Sequence, residues 1–111
     1  MGDEDDVTIA AVTAAELLVG VELADRRRRP GRRAFVDALL TALPVEPYDL
    51  EVAQAHAVLL GHTRRSTRSR GTHDLIIAAT GLARRRMVVT AHAAGFEGLP
   101  GLSVRLLPSP R

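Results

Sequence analysis

Val7-Thr8-Ile9-Ala10-Ala11-Val12 runs without a break into Thr13-Ala14-Ala15-Glu16-Leu17-Leu18, and the change of pattern between the two decides the fold. The first six residues are apolar or β-branched, which is the signature of a strand buried on both faces. Thr13-Ala14-Ala15-Glu16 then has the spacing of a capping box, in which Thr13 caps a helix and Glu16 bonds back to the backbone of the cap. The helix it opens extends to about Asp25, with Ala14, Leu17, Leu18 and Val21 on its buried stripe. A buried strand passing directly into an amphipathic helix is the first half of a strand–helix–strand unit.

The same alternation continues to the end of the chain. Arg26 to Gly31 is a charged connector ending in Pro-Gly, and Arg32 to Leu43 predicts a second helix with Phe35, Ala38, Leu39 and Ala42 inward. Pro44 and Pro47 leave room for only a very short strand, because each removes a backbone donor. Asp49 caps a third helix that reaches about His62 and carries Val52, Ala53, Ala55, Leu59 and Leu60, with His56 among them as a core histidine. Thr63 to Thr72 is a polar, basic loop, and His73 to Arg86 is a fourth helix whose first turns are apolar all round. Met87 to Thr90 is another buried strand, and Leu102 to Leu106 a last edge strand. Strands and helices in alternation, joined by short loops, predict an α/β domain with a mostly parallel sheet.

Composition narrows the function classes. The chain has 111 residues, 46% hydrophobic and 3% aromatic, enough for one core built from aliphatic side chains. Phe35, Tyr48 and Phe96 are too few for an RNA reader that stacks bases on several rings. Without cysteine there is no disulfide framework, thiolate-ligated zinc or thiol nucleophile. No apolar run approaches 18 residues, and the chain reads as soluble and cytoplasmic. Net charge is only +2, yet all 15 basic residues are arginines, and 13 of them fall within Arg26–Arg33, Arg64–Arg70 and Arg84–Arg86. Such clusters suit phosphates or an acidic partner, and equally a solvated arginine-rich surface.

In a parallel sheet, sites form at the carboxyl ends of strands beside the N-termini of the following helices. Glu16, Asp74, Thr90 and His92 all fall there. Two carboxylates at one sheet edge, each near the positive end of a helix, suit a hard divalent cation. Taken singly, Glu16 also reads as a capping acid, Asp74 as a first-turn dipole partner, and His73 and His92 as ordinary loop or helix-start residues.

The order of motifs resembles PIN-domain ribonuclease toxins of the VapC type, the toxin half of VapBC type II toxin–antitoxin pairs. The resemblance is carried by TIAAVTAAELLVGVELA (Thr8 to Ala24), RRAFVDALL (Arg32 to Leu40), PVEPYDLEVAQAHAVLL (Pro44 to Leu60), RGTHDLIIAATGLA (Arg70 to Ala83) and VVTAHAAGFEGLPGLSV (Val88 to Val104). It implies a three-layer α/β/α PIN-like domain and an endoribonuclease that uses Mg²⁺ or Mn²⁺ held by four acids. Glu16 matches the second family acid and Asp74 the third, which makes them the implied catalytic and metal residues. The fourth acid falls at His92, a weaker nitrogen ligand for Mg²⁺. Thr13 and Thr90 are supporting residues, and Arg64, Arg65, Arg68, Arg70, Arg84 and Arg85 are candidate RNA contacts.

The first family acid belongs to an opening strand–helix unit that this sequence does not contain. The expectation is therefore a single domain over 1–111, N-terminally incomplete, with Asp3 to Asp6 as ordinary loop charge. That absence leaves the Val7–Val12 strand with a backbone edge to be paired elsewhere. Two acids in place of four imply a weakened cation site and impaired cleavage. The alternative implied is a catalytically inactive PIN-like domain that binds antitoxin or RNA. Either way the resemblance implies a VapB-like antitoxin as partner, a homodimer, and no membrane association.

Overall fold

The computed structural model of the chain describes residues 7–66, 70–90, 96 and 102–107. Its elements are β1 (Val7–Ala10), α1 (Ala11–Leu23), α2 (Arg29–Ala42), β2 (Val45–Glu46), α3 (Leu50–Arg65), α4 (Thr72–Arg84), β3 (Met87–Thr90) and β4 (Val104–Leu106). The four strands form one parallel sheet in the order β2-β1-β3-β4, which is the predicted class.

β1 has partners on both sides: Ile9 and Ala10 are in register with Val45 and Glu46, and Val7 and Thr8 with Met87 and Val88. The edge expected to be open on this strand is thus closed by β3. Alternation along β1 and β3 feeds two cores, as a sheet covered on both faces requires. Val7, Ile9 and Val89 pack with Leu17 of α1 and Leu39, Leu40 and Leu43 of the α2 end. Ala10 and Val88 face Val52, Leu59, Leu75, Ala78 and Ala79 of α3 and α4. The result is three layers, with α1 and α2 on one face of the sheet and α3 and α4 on the other.

Several boundaries differ from the sequence expectation, each for a local reason. β1 ends at Ala10, and α1 begins at Ala11 with Ala10 as its cap and no side-chain capping bond. Thr13 is therefore the third helical residue and caps nothing, so the capping box does not form. α2 starts at Arg29 and takes in Pro30 in its first turn, where a proline's missing N–H costs no hydrogen bond. Its inward side chains are Val36, Leu39 and Leu40, while Ala38 and Ala42 are exposed. Asp49 does cap α3, accepting from the Val52 N–H at 3.1 Å. His56 is half-buried at the surface, with Nδ1 2.8 Å from the Tyr48 hydroxyl.

Arg84 ties the far end of α4 to the β2–α3 connection. Its Nε donates to Glu46 at 2.9 Å, Nη1 to Glu51 at 3.1 Å, and Nη2 to Asp49 at 2.7 Å and to the Pro47 carbonyl at 3.3 Å. Glu46 in turn accepts from the Thr8 hydroxyl at 3.3 Å, which links the network to the buried strand β1. The Val52 N–H and then the Arg84 guanidinium hold the Asp49 carboxyl below its ordinary value of 3.8. A depressed carboxylate stabilises the fold fully above its unfolded value, and the contribution is lost as pH falls through the folded value. Denaturant unfolding followed from pH 7 to pH 2.5 is thus expected to show a shallower acid limb for Asp49→Asn, which keeps a capping oxygen and loses the charge. Identical limbs for the two proteins would remove Asp49 from the acid response.

Candidate functional site

The first crossover leaves β1 for β2 through α1 and α2 on one face; the second leaves β2 for β3 through α3 and α4 on the other. The carboxyl ends of β1 and β3 therefore lie side by side, with the start of α1 on one face and the start of α4 on the other, the end of a parallel sheet at which sites form. A cavity of about 310 Å³ lies there, lined by Thr13, Glu16, Leu17, His73, Asp74, Ile77, Thr90 and Leu107.

Each polar group reaches it for a simple reason. Thr13, Glu16 and Leu17 are three and four residues apart on α1 and share one face. His73, Asp74 and Ile77 occupy the first turns of α4, which runs against the strands and so begins at their carboxyl ends. Thr90 is the last residue of β3 and is buried. The cavity thus gathers four of the predicted residues, namely Glu16, Asp74, Thr13 and Thr90. It adds His73, whose Nδ1 is in hydrogen-bond contact with Glu16 Oε2. Sequence reasoning had set His73 aside; its position just before Asp74 was the signal. Both partners of this contact are about half exposed, at 57% and 49%, so it orients Glu16 and adds little to stability.

The ionisable side chains lining the cavity are two carboxylates and one imidazole. The carboxylates fit a hard cation in kind. Among the described residues no cluster of three or more His, Cys, Asp or Glu is placed to hold a metal ion. Mg²⁺ is compatible with such a site, because it commonly binds through one or two carboxylates and keeps several of its waters. His92 lies outside the described residues, as do Arg68 and Asp3 to Asp6.

The arginines separate into two groups. Arg64 and Arg65 are exposed in the last turn of α3, and the short connection to α4 brings them to the cavity end of the sheet, with Arg70 beside the start of α4. Arg84 and Arg85 lie ten and eleven residues beyond Asp74, about 15 Å along the helix axis and toward its other end. The Arg84 side chain is 15% exposed and held by three carboxylates. Arg85 ends α4 in a left-handed conformation at φ 55°. Arg29 is likewise structural, since its guanidinium donates to the Val21, Glu22 and Ala24 carbonyls at the end of α1.

No protein-family model matches the chain. Among curated proteins, it is 26% identical over 105 residues to "Ribonuclease VapC" of Rickettsia bellii, covering 94% of this chain and 78% of that protein. It is 33% identical over 93 residues to "VapC ribonuclease Y4jK" of Sinorhizobium fredii, covering 80% of this chain and 66% of that protein. Among solved structures, DNA-bound VapBC from Salmonella typhimurium superposes with a TM-score of 0.75 at 26% identity, covering 89% of this chain and 74% of that one. The parallel sheet, the cavity at the carboxyl ends of β1 and β3 with its two carboxylates, and these likenesses in both sequence and fold agree, and the chain belongs to the VapC-type PIN-domain family.

Proposed function

We propose that this chain is the toxin of a type II toxin–antitoxin pair and cleaves RNA with a divalent cation, Mg²⁺ or Mn²⁺, held by Glu16 and Asp74. The observation that carries this reading is the convergence of those two carboxylates, from two helices, on one cavity at the carboxyl end of the sheet. The relatives' name of ribonuclease supports the activity. When bound, the cation activates water and neutralises charge that develops on the phosphodiester. The chain's own residues supply the rest. Glu16 and Asp74 hold the cation, and His73 orients the Glu16 carboxylate. Thr90 borders the cavity from the strand side, and His92 follows it two residues later in sequence. With two carboxylates from the described residues, the cation affinity belongs at the weak end of such sites.

Arg64, Arg65 and Arg70 stand at the cavity end of the sheet and are the phosphate contacts favoured here. The antitoxin reading rests on the VapBC complexes among similar structures, and on Val19 and Leu23, which leave α1 52% and 81% exposed. A VapB-like antitoxin covering that surface, a homodimeric toxin and a cytoplasmic setting complete the proposal. Among the described residues no helix is long and apolar enough to cross a membrane.

The test uses the purified chain and a structured RNA, with Mg²⁺, with Mn²⁺, and with a chelator. Cleavage in either metal that the chelator abolishes is the expected outcome. Absent cleavage would favour the second reading, a catalytically inactive PIN-like domain that binds antitoxin or RNA, and chelator-resistant cleavage would overturn the metal dependence.

A further inference from the structure

The arginines of the Arg26–Arg33 cluster divide by what their guanidiniums meet. Arg29 closes the end of α1, and Arg33 lies 3.8 Å from Glu22 and 3.9 Å from Asp37. Arg26 and Arg27 are exposed on the connector. Arg28 and Arg32 stand one turn apart at the start of α2 and line a second cavity, of about 410 Å³, with Gly20, Leu23, Ala24 and Asp25. Among the described residues neither of these two guanidiniums has a carboxylate or carbonyl partner, although Arg32 is half-buried. Asp25 is occupied in the turn, where its Oδ1 accepts from the Arg28 N–H at 2.9 Å. With two arginines and one aspartate, the lining is net positive.

This cleft shares a stripe of α1 with the carboxylate cavity. Gly20 follows Glu16 by four residues, and Leu23 and Ala24 by seven and eight, so the stripe leads from Glu16 into the cleft over about 6–12 Å along the helix axis. Gly20 puts no side chain on that path. The Cβ it lacks would stand 3.6 Å from Arg32 Nη1 and 3.9 Å from Arg32 Cδ, so the Arg32 side chain lies against bare helix backbone. Leu23 lines the cleft and belongs also to the surface assigned above to the antitoxin.

Planar guanidiniums match phosphate oxygens in geometry as well as charge. An acidic protein side chain would meet the same charge, but the shared stripe favours the polyanion that must also reach Glu16 and Asp74. We propose that Arg28 and Arg32 form a phosphate subsite, holding a phosphate of the RNA strand that flanks the bond being cut. The inference rests on the proposed RNA-cleaving reading and adds a contact on the α1–α2 side, apart from Arg64, Arg65 and Arg70.

The test measures binding of a labelled single-stranded RNA to the full chain by fluorescence anisotropy, in chelator and across a salt series, so that neither metal nor cleavage enters. Arg28→Gln with Arg32→Gln is expected to weaken binding about tenfold, the scale of losing a charge-assisted contact, and to lower the salt slope by about 0.7, the value for one phosphate of a single strand. Arg28→Lys with Arg32→Lys should keep the slope. Arg26→Gln with Arg27→Gln removes the same charge outside the cleft and should also keep it. Equal losses in the two glutamine pairs overturn the inference by assigning the effect to diffuse charge. Wild-type RNA binding in the Arg28→Gln, Arg32→Gln pair overturns it and leaves the RNA reading standing. Weaker binding of poly-glutamate by that pair, with its RNA slope unchanged, assigns the cleft to an acidic protein and also overturns it. Absence of RNA binding by the wild-type chain overturns the inference and the RNA reading together.

Discussion

On the proposed reading, replacing Asp74 with asparagine is expected to lower metal-dependent RNA cleavage by on the order of 10²–10³-fold, the scale of losing one principal electrostatic group from a preorganised site. The side chain keeps its size and its place in the first turn of α4, so the cavity keeps its shape. What disappears is one of the two negative charges that the proposal assigns to the cation. The fold is affected little. A carboxylate in the first turn favours the helix through its dipole by about 0.5 kcal/mol, and asparagine forgoes that amount. The measurement is kcat/KM on a structured RNA, with circular dichroism confirming the fold. A folded Asp74→Asn chain that cleaves at the wild-type rate would contradict the assignment.

The largest expected effect on stability comes from a residue with no side chain. Gly81 is buried in the last turns of α4, where the helix packs against Val88 of β3. A Cβ placed there would sit 3.1 Å from Val88 Cγ1, 3.2 Å from the Arg86 carbonyl oxygen and 3.2 Å from Leu102 Cδ1. The carbonyl can give by no more than a few tenths of an ångström, because the turn around it is hydrogen-bonded. The Arg86 N–H donates to the Gly81 carbonyl at 3.0 Å, and left-handed Arg85 closes the helix against the Gly81 and Leu82 carbonyls. Gly81→Val therefore pushes α4 off the sheet and is expected to cost about 3 kcal/mol, or roughly 10–15 °C in Tm for a domain of this size. Gly81→Ala is far milder. Alanine's better helix propensity returns up to about 1 kcal/mol, which offsets a methyl group that its neighbours must yield to by a few tenths of an ångström. A thermal melt distinguishes them, and a Gly81→Val midpoint equal to wild type would contradict the close approach of α4 to β3.

The architecture was legible because its signals are local and redundant. VTIAAV and MVVT are β-branched runs of strand length, Asp49 stands where a cap belongs, and the two prolines around Val45 leave space for a two-residue strand. The errors share a cause. Thr13-Ala14-Ala15-Glu16 has the letters of a capping box, but pairing of β1 stops at Thr8 toward β3 and at Ala10 toward β2, and the helix begins two residues before Thr13. The inward stripe of α2 was set one residue off because the helix starts earlier than Pro-Gly suggested, and because Leu40 and Leu43 reach the core beneath β1.

At the site, Glu16 and Asp74 were legible from their places after strand-like and before helix-like segments. The contact of His73 with Glu16 was not, because it joins residues 57 apart in sequence. Arg84 shows the same limit from the other side. It sat in a basic cluster that suited phosphates, and only the tertiary fold reveals three carboxylates around its guanidinium.

Glu16 and Asp74 act as one site if both hold the same cation, and groups that act as a unit lose function non-additively. The most direct measurement is therefore kcat/KM for Glu16→Gln, Asp74→Asn and the double variant at saturating Mn²⁺, each compared with wild type. The account predicts that the double variant is little worse than the poorer single variant. A double loss equal to the product of the two single losses would show two independent contributions, and would contradict a single cation held between α1 and α4.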